Sequence, residues 1–304
     1  MLICCGLTTL DITQVVHALP GPDEKVVATS QRATFGGPAA NAAATAAALG
    51  VPVRLVTAVG TGMLAEVVRA DVVAAGVELI DVTADGHASP SPGDETRGPA
   101  VSTVLVTAGT GERAVVSTNA TDRPVAAGDA RAVSRVLEPV RQGGARGQER
   151  DVLLLDGHHP CLAHALAARA RELGVLVVLD GGSWKDGTAE LVALCDAVVL
   201  SADFRMPGRD VGRVLEDVAA LGPGFVARSR GGAPVEVLDG GVRSDLPVPV
   251  ADGVVDTLGA GDVLHGAFAA EVARGLSWGR ALREAVAVAS RSVAYEGARG
   301  WIGR

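Results

Sequence analysis

Short apolar runs alternate along the chain with longer Ala-rich stretches of helical periodicity. Arg54–Val59 precedes a helical pattern at Leu64–Ala75, and Val152–Leu155 stops at Asp156 and leads into Cys161–Leu173. Val175–Leu179 stops at Asp180 and leads into Thr188–Leu194; Ala197–Leu200 is followed by Val211–Leu221 and then Gly224–Ala227. Strand and helix in alternation predict an α/β fold, a mostly parallel sheet with helices on both faces. Such sheets bind ligands beyond the carboxyl ends of their strands, where Asp180, Ser201 and Asp262 fall.

Two segments break this rhythm. Ile12–Ala18 and Val26–Thr34 flank Pro20-Gly21-Pro22, and Val101–Thr107 and Arg113–Thr118 flank Gly109-Thr110-Gly111. Both read as hairpins inserted into the α/β domain, either functional or a solvated decoration. Ala84–Pro99 and Gly143–Arg150, rich in Gly, Pro, Ser and charge, read as mobile loops within a single domain spanning 1–304.

Composition narrows the function classes. Hydrophobic residues make up 48% and aromatics 3%, which favours tight helix-on-sheet packing over a base-stacking surface. The net charge of −8 offers no basic footprint for nucleic acid or an anionic membrane, and the only lysines are Lys25 and Lys185. Cys4, Cys5, Cys161 and Cys195 lack metal-ligand spacing and are expected to be buried free thiols in a reducing compartment. Met1–Gly6 lacks the features of a signal peptide and no apolar run approaches the roughly 18 residues of a membrane span, so a cytoplasmic chain is expected.

The chemistry concentrates in Val255-Asp256-Thr257-Leu258-Gly259-Ala260-Gly261-Asp262, which ends an apolar segment and opens a helix running to about Arg274. A helix start presents unpaired N–H groups and the positive end of the helix dipole, a ready anion site. Gly259, Ala260 and Gly261 are small enough for a phosphate to approach the backbone. Asp262 places a carboxylate beside it that can take a proton from an attacking alcohol; together these equip the site for phosphoryl transfer to a hydroxyl. The plainer alternative makes Asp262 a helix cap and the glycines a turn. His265 shares a helical face with Asp262, but is expected to be a packed, hydrogen-bonded histidine. Trp184, Trp278 and Trp301 are expected to be packing residues.

With a second motif near the N-terminus, Phe35-Gly36-Gly37-Pro38-Ala39-Ala40-Asn41, the sequence resembles the ribokinase-like (PfkB) carbohydrate kinases across essentially its whole length. The resemblance implies a three-layer α/β/α domain with a mostly parallel central sheet. It also implies a small β lid at about 10–35 and 100–119 that covers the sugar and often mediates a homodimer. The implied activity is ATP-dependent phosphorylation of a primary hydroxyl of a small-molecule sugar, with Mg²⁺ as cofactor and a monovalent cation such as K⁺ left open. Asp262 becomes the general base, and the backbone of Gly259–Asp262 the anion hole. The family places Asp11 and Asn41 on the acceptor, with Gly36 and Gly37 keeping the backbone clear of it. From the residues alone, Asp11 also reads as a turn residue and Asn41 as the N-cap of a helix at Ala42–Leu49.

Gly36–Ala39 and Val263–Ala267 look closest to the sulfofructose-kinase-like branch, whose lid holds an anionic tail with a lysine, an asparagine and an arginine. Lys25 and Asn119 match the first two, Lys25 reading equally as solvated surface; the arginine position falls at His158, a departure. On the nucleotide side Ser201-Ala202-Asp203-Phe204 replaces the family's Asn-x-x-Glu, with Asp203 a shifted carboxylate. The loop holding Arg228, Ser229, Arg230 and Gly231 resembles the family's phosphate-facing turn, its two arginines reading equally as phosphate ligands or as surface residues, and Thr257 completes the expected nucleotide contacts. These departures support a competing reading, a non-catalytic sugar or nucleotide sensor on the same scaffold. A nucleoside kinase, with Phe35 and Trp184 against a base, is a further alternative.

Overall fold

The computed structural model describes residues 1–83, 98–110, 112–120, 125, 136–137, 149–251 and 253–304. A nine-stranded sheet runs in the order β13 (Val242–Leu246), β12 (Ala233–Asp239), β11 (Phe225–Arg230), β10 (Ala197–Leu200), β9 (Leu176–Gly181), β8 (Val152–Leu155), β1 (Leu2–Cys5), β4 (Val53–Thr57) and β5 (Glu78–Asp81). Every pair from β11 to β5 is parallel; β12 and β13 form an antiparallel edge. Because helices cover both faces, the central strands are apolar without interruption: β1 reads LICC, β8 VLLL and β10 AVVL, all buried.

Successive side chains of one strand serve two cores. Leu2, Cys4, Leu154 and Val199 pack toward α1 (Pro38–Ala48), α2 (Met63–Ala74), α6 (Ala260–Ala273) and α7 (Trp278–Ser292). Ile3, Cys5, Leu155 and Val198 pack toward α3 (Pro160–Leu173), α4 (Thr188–Val192) and α5 (Val214–Ala219). The result is the expected three-layer α/β/α fold. Phe225, Phe268 and Trp278 stack in the first core, Trp184 meets Phe204 edge-on at 6.0 Å, and the guanidinium of Arg291 lies over Trp301.

A separate four-stranded sheet, β3 (Ser30–Gly36), β2 (Thr9–Val16), β6 (Ala100–Thr107) and β7 (Arg113–Ser117), stands over the carboxyl end of the central sheet. The two hairpins expected from sequence join through parallel pairing of β2 with β6. β2 begins at Thr9, earlier than the apolar pattern suggested, so Asp11 lies within a strand rather than a turn. Pairing decides this, because Thr9 and Asp11 face Gly36 and Thr34 across the ladder.

Helix α1 likewise begins earlier than expected, with Pro38 in its first turn directly after Gly37, so Asn41 is a helical residue and not an N-cap. The expected helix at Val211–Leu221 is a 3₁₀ turn at Val211–Arg213 followed by α5. Cys4, Cys5 and Cys195 are buried, but Cys161 is exposed at the start of α3. Gly111 and most of the two loops expected to be mobile (84–97 and 143–148) lie outside the described residues.

Candidate active site

The lid and the central sheet enclose a cavity of about 400 Å³. Strand periodicity selects its lid wall: Thr9, Asp11 and Thr13 of β2, Arg32 and Thr34 of β3, Ser102 of β6 and Ser117 of β7 all fall on one face. The floor comes from Gly37, Asn41, Gly259, Asp262 and the C-terminal segment Glu296–Gly300. Asp11, Asn41, Asn119 and Asp262, widely separated in sequence, therefore share one chamber. Lys25 does not join them; it is exposed on the β2–β3 connection.

Asp11 accepts a hydrogen bond from Thr9 Oγ1 at 2.6 Å, and burial raises its carboxyl above the usual range. The backbone at Gly36 passes so close that a Cβ there would lie 1.9 Å from Asp11 Oδ2. Gly37 has φ +92°, and a Cβ on it would lie 2.4 Å from the carbonyl oxygen of Leu7. The glycine pair thus makes room first for protein atoms, the Asp11 carboxylate and the β1–β2 connection, and through them shapes the cavity wall.

Asp262 sits in the first turn of α6 with its carboxylate partly open to the cavity. Gly259 at φ +75° starts the helix, and a Cβ there would meet Ala298 at 2.3 Å, so the turn is clamped against the C-terminal segment. Around Gly261 a Cβ would meet nothing within 4 Å, which leaves open space beside this turn. The N–H groups of Gly261 and Asp262 belong to the turn where helix geometry supplies no acceptor. Close packing of α1 on α6 brings Asn41 to the site: Gly266 leaves no room for a Cβ, which would lie 2.4 Å from the Ala42 carbonyl oxygen. One turn away, Asn41 Nδ2 donates to Asp262 Oδ2 at 2.7 Å.

Behind Asp262 lies a cluster of titratable groups. Burial, then the neighbouring Asp180, raises the Asp262 carboxyl to about 7. Burial and Asp156 raise Asp180 to about 8. His265 is buried; its Nε2 faces the Val199 carbonyl oxygen at 3.1 Å and its Nδ1 lies 3.2 Å from Asp180 Oδ2. A carbonyl only accepts, so Nε2 carries the proton of a ring that burial keeps neutral, and Nδ1 faces the Asp180 carboxyl. This is the packed, hydrogen-bonded histidine that the sequence suggested. Asp156 is different: although burial opposes its charge, His158 and the N–H groups of Leu7, Ala39 and His158 pull it down to about 2. It ties the β1–β2 turn to the start of α1.

The expected nucleotide-side residues lie at the ends of β10 and β11, mostly committed to protein partners. Ser201 Oγ donates to Gly182 O at 2.9 Å and Ser229 Oγ to Leu200 O at 3.3 Å. Arg228 donates to Ala202 O at 2.7 Å and pairs with Glu236 at 3.6 Å, while Arg230 donates to Pro234 O. Gly231 turns the β11–β12 connection at φ +62°, and Asp203 is exposed. Thr257 Oγ1 accepts from Arg113 Nη2 at 3.0 Å.

Sequence reasoning missed two arginines and the depth of the acidic cluster. Arg113, on lid strand β7, also pairs with Asp256 at 3.2 Å, joining the lid to the turn that opens α6. Arg299 lies among Asn41, Thr34 and Phe35. Neither carries a local pattern that announces it; only its spatial neighbours do. Phe35 is buried with Arg299 at 3.6 Å over its ring, and Trp184 does not line the cavity, so the two aromatics do not form a sandwich for a base.

A lid closed over a polar chamber, with a carboxylate set at a helix start, is the architecture of a small-molecule group-transfer enzyme. The family model for pfkB family carbohydrate kinases matches residues 1–302, and the chain belongs to that family: it is a carbohydrate kinase. It is 30% identical to an ATP-dependent ribose-1-phosphate kinase of Halopiger xanaduensis, over 98% of this chain and 93% of that protein. Among solved structures it is similar to Arabidopsis thaliana ribokinase complexed with ribose and ATP (21% identity, TM-score 0.75, 99% and 95% of the two chains). A microbiome-derived acarbose kinase matches with 20% identity and a TM-score of 0.78 over 96% and 92% of the chains. Among the described residues no helix is long and apolar enough to cross a membrane.

Proposed function

We propose that this carbohydrate kinase transfers the γ-phosphoryl group of ATP to a primary hydroxyl of a sugar held between the lid and α6. The observation that carries the reading is Asp262: a carboxylate open to the acceptor cavity, fixed by Asn41, beside the N–H groups of a helix start. The acceptor hydroxyl gives its proton to Asp262 as its oxygen attacks the γ-phosphorus; the bond to the bridging oxygen breaks and ADP leaves. The N–H groups of Gly261 and Asp262 stabilise the charge that develops on the transferred group. Asp11 and Asn119 orient the sugar, and the lid keeps water away so that hydrolysis does not compete. Ser201, Ser229, Gly231 and Thr257 border the nucleotide.

Among the described residues no group of three His, Cys, Asp or Glu forms a metal cage. Mg²⁺, which needs few protein ligands, would be carried in on the nucleotide phosphates and water. When bound it offsets phosphate charge. Val116, 74% exposed on lid strand β7 and pointing away from the cavity that Val115 lines, supports homodimerisation through the lid. The unpaired cysteines suit a cytoplasmic enzyme.

The acceptor carries an anionic group in this reading. Arg32 reaches the cavity from β3 and, among the described residues, is held by an exposed pair with Glu296 at 3.3 Å, easily exchanged for a phosphate; the name of the Halopiger relative points the same way. Coupled ADP release with MgATP tests this against ribose, ribose 1-phosphate, fructose, fructose 6-phosphate, sulfofructose and adenosine. A phosphorylated sugar is expected to give the strongest response. Adenosine as the strongest acceptor would make the protein a nucleoside kinase, and ATP binding without turnover across a broad acceptor panel would favour the sensor.

A further inference from the structure

We propose that Arg299 is the positioning residue that orients the catalytic base, acting through Asn41; the inference rests on Asp262 being that base. Arg299 Nη1 donates to Asn41 Oδ1, and Asn41 Nδ2 donates to Asp262 Oδ2 at 2.7 Å. An amide side chain is ambiguous by itself, because its oxygen and nitrogen exchange places on a flip. A guanidinium removes the ambiguity, since it only donates. With Arg299 present, the amide oxygen must face it and the NH₂ must face Asp262. One carboxylate oxygen is then held, leaving the other for the acceptor proton.

Arg299 is itself anchored independently of any substrate. Nη2 donates to Thr34 Oγ1 at 2.5 Å and to Phe35 O at 2.6 Å, and the guanidinium lies 3.6 Å from the centre of the Phe35 ring. Thr34 and Phe35 are the last lid residues before the glycine pair that leads into α1. One side chain therefore joins the foot of the lid, the start of α1 and, through Asn41, the start of α6.

The charged environment of Asp262 makes this contact consequential. Asp180 and Asp156, at the ends of β9 and β8, disfavour its ionised form, while buried His265 on its own helix contributes a weaker opposing effect. Lys185 and His158 act on Asp180, and Asp11, Asp71, Arg32 and Asp262 itself act on Arg299. Against the two aspartates, the Asn41 donation favours the carboxylate that the reaction needs.

The test compares Arg299→Met and Arg299→Lys by the pH dependence of kcat. The methionine variant is expected to lose about 10- to 100-fold in kcat, the worth of one hydrogen bond to a charged group. Its acid limb should move up by about one pH unit, with the acceptor KM changed by less than about threefold. Lysine should keep most of the rate, and added guanidinium ion should restore part of it to the methionine variant. Should the methionine variant not fold, Asn41→Leu should show the same displaced limb, and a double variant made in the lysine background should add no further loss. A raised acceptor KM with an unmoved acid limb would overturn the proposal and make Arg299 an acceptor ligand. Asp262→Asn measured alongside separates the two readings: its near-wild-type turnover would remove the base itself, whereas its expected loss beside an unmoved limb for Arg299→Met removes only the relay.

Discussion

The proposed acceptor side and the proposed nucleotide side of this enzyme are built on different plans. The acceptor chamber draws on four lid strands, two helix starts and the C-terminal segment, and its polar groups converge on one space. On the nucleotide side, Ser201, Arg228 and Ser229 spend their hydrogen bonds on backbone carbonyls of neighbouring strand ends. In the function we propose, the difference teaches that side-chain specificity is concentrated at the sugar, while the phosphates are met mainly by backbone N–H groups at the start of α6. Backbone groups make an anion site that tolerates changes in the surrounding side chains, which explains how the departures at Ser201–Phe204 and Arg228 coexist with an intact Asp262 turn.

The largest expected effect tests the junction of the two sides. Asp262→Asn should lower turnover by about 10²- to 10⁴-fold, the range for a positioned general base, with sugar binding by calorimetry nearly unchanged. Next comes the acceptor wall. Gly36→Ala would drive a methyl group into the Asp11 carboxylate, and a rise of about 10- to 100-fold in acceptor KM, with the ATP KM held, is expected from steady-state kinetics. An equal rise in both constants would break the comparison, because it would mean that the two sides are not separately built.

Asp180→Asn sharpens it from behind. Removing that neighbour should move the acid limb of kcat downward, opposite to Arg299→Met, because Asp180 is among the groups that raise Asp262. The same variant has a stability signature. Asp180 is raised in the fold from 3.8 to about 8, so the native state binds more protons than the unfolded chain between those values. Wild-type stability is therefore drained as pH rises through that window, and the melting temperature of the asparagine variant should gain on wild type from pH 5 to pH 8. The smallest functional effect is expected for Arg228→Ala: a change in ATP KM within about threefold, with a loss of thermal stability from the broken Ala202 and Glu236 contacts. A rise of more than about tenfold in ATP KM would overturn the contrast drawn here.

Local patterns carried far. The alternation of apolar runs and Ala-rich stretches announced the three-layer fold, and the helix opening at Ala260 with Asp262 in its first turn followed from glycines and spacing alone. Strand starts were harder. Thr9 to Asp11 is polar enough to read as a turn, and only pairing with Gly36 and Thr34 makes it a strand. The beginning of α1 is hidden for a related reason, since Gly37-Pro38 reads as a loop until the helix continues from it.

What the sequence determined by itself was whatever depends on neighbours in the chain: helix and strand periodicity, and the glycine-rich turn that opens a helix with Asp262 in its first turn. What only the tertiary structure decided was which of these meet. Arg299 reaches Asn41 across 258 residues, and Asn41 reaches Asp262 across 221. Hydrogen bonds and buried charges act over a few ångströms regardless of chain separation. The orientation of the base and its raised proton affinity are therefore properties of packing: a glycine that lets α1 rest on α6, and a C-terminal segment folded back beneath the lid.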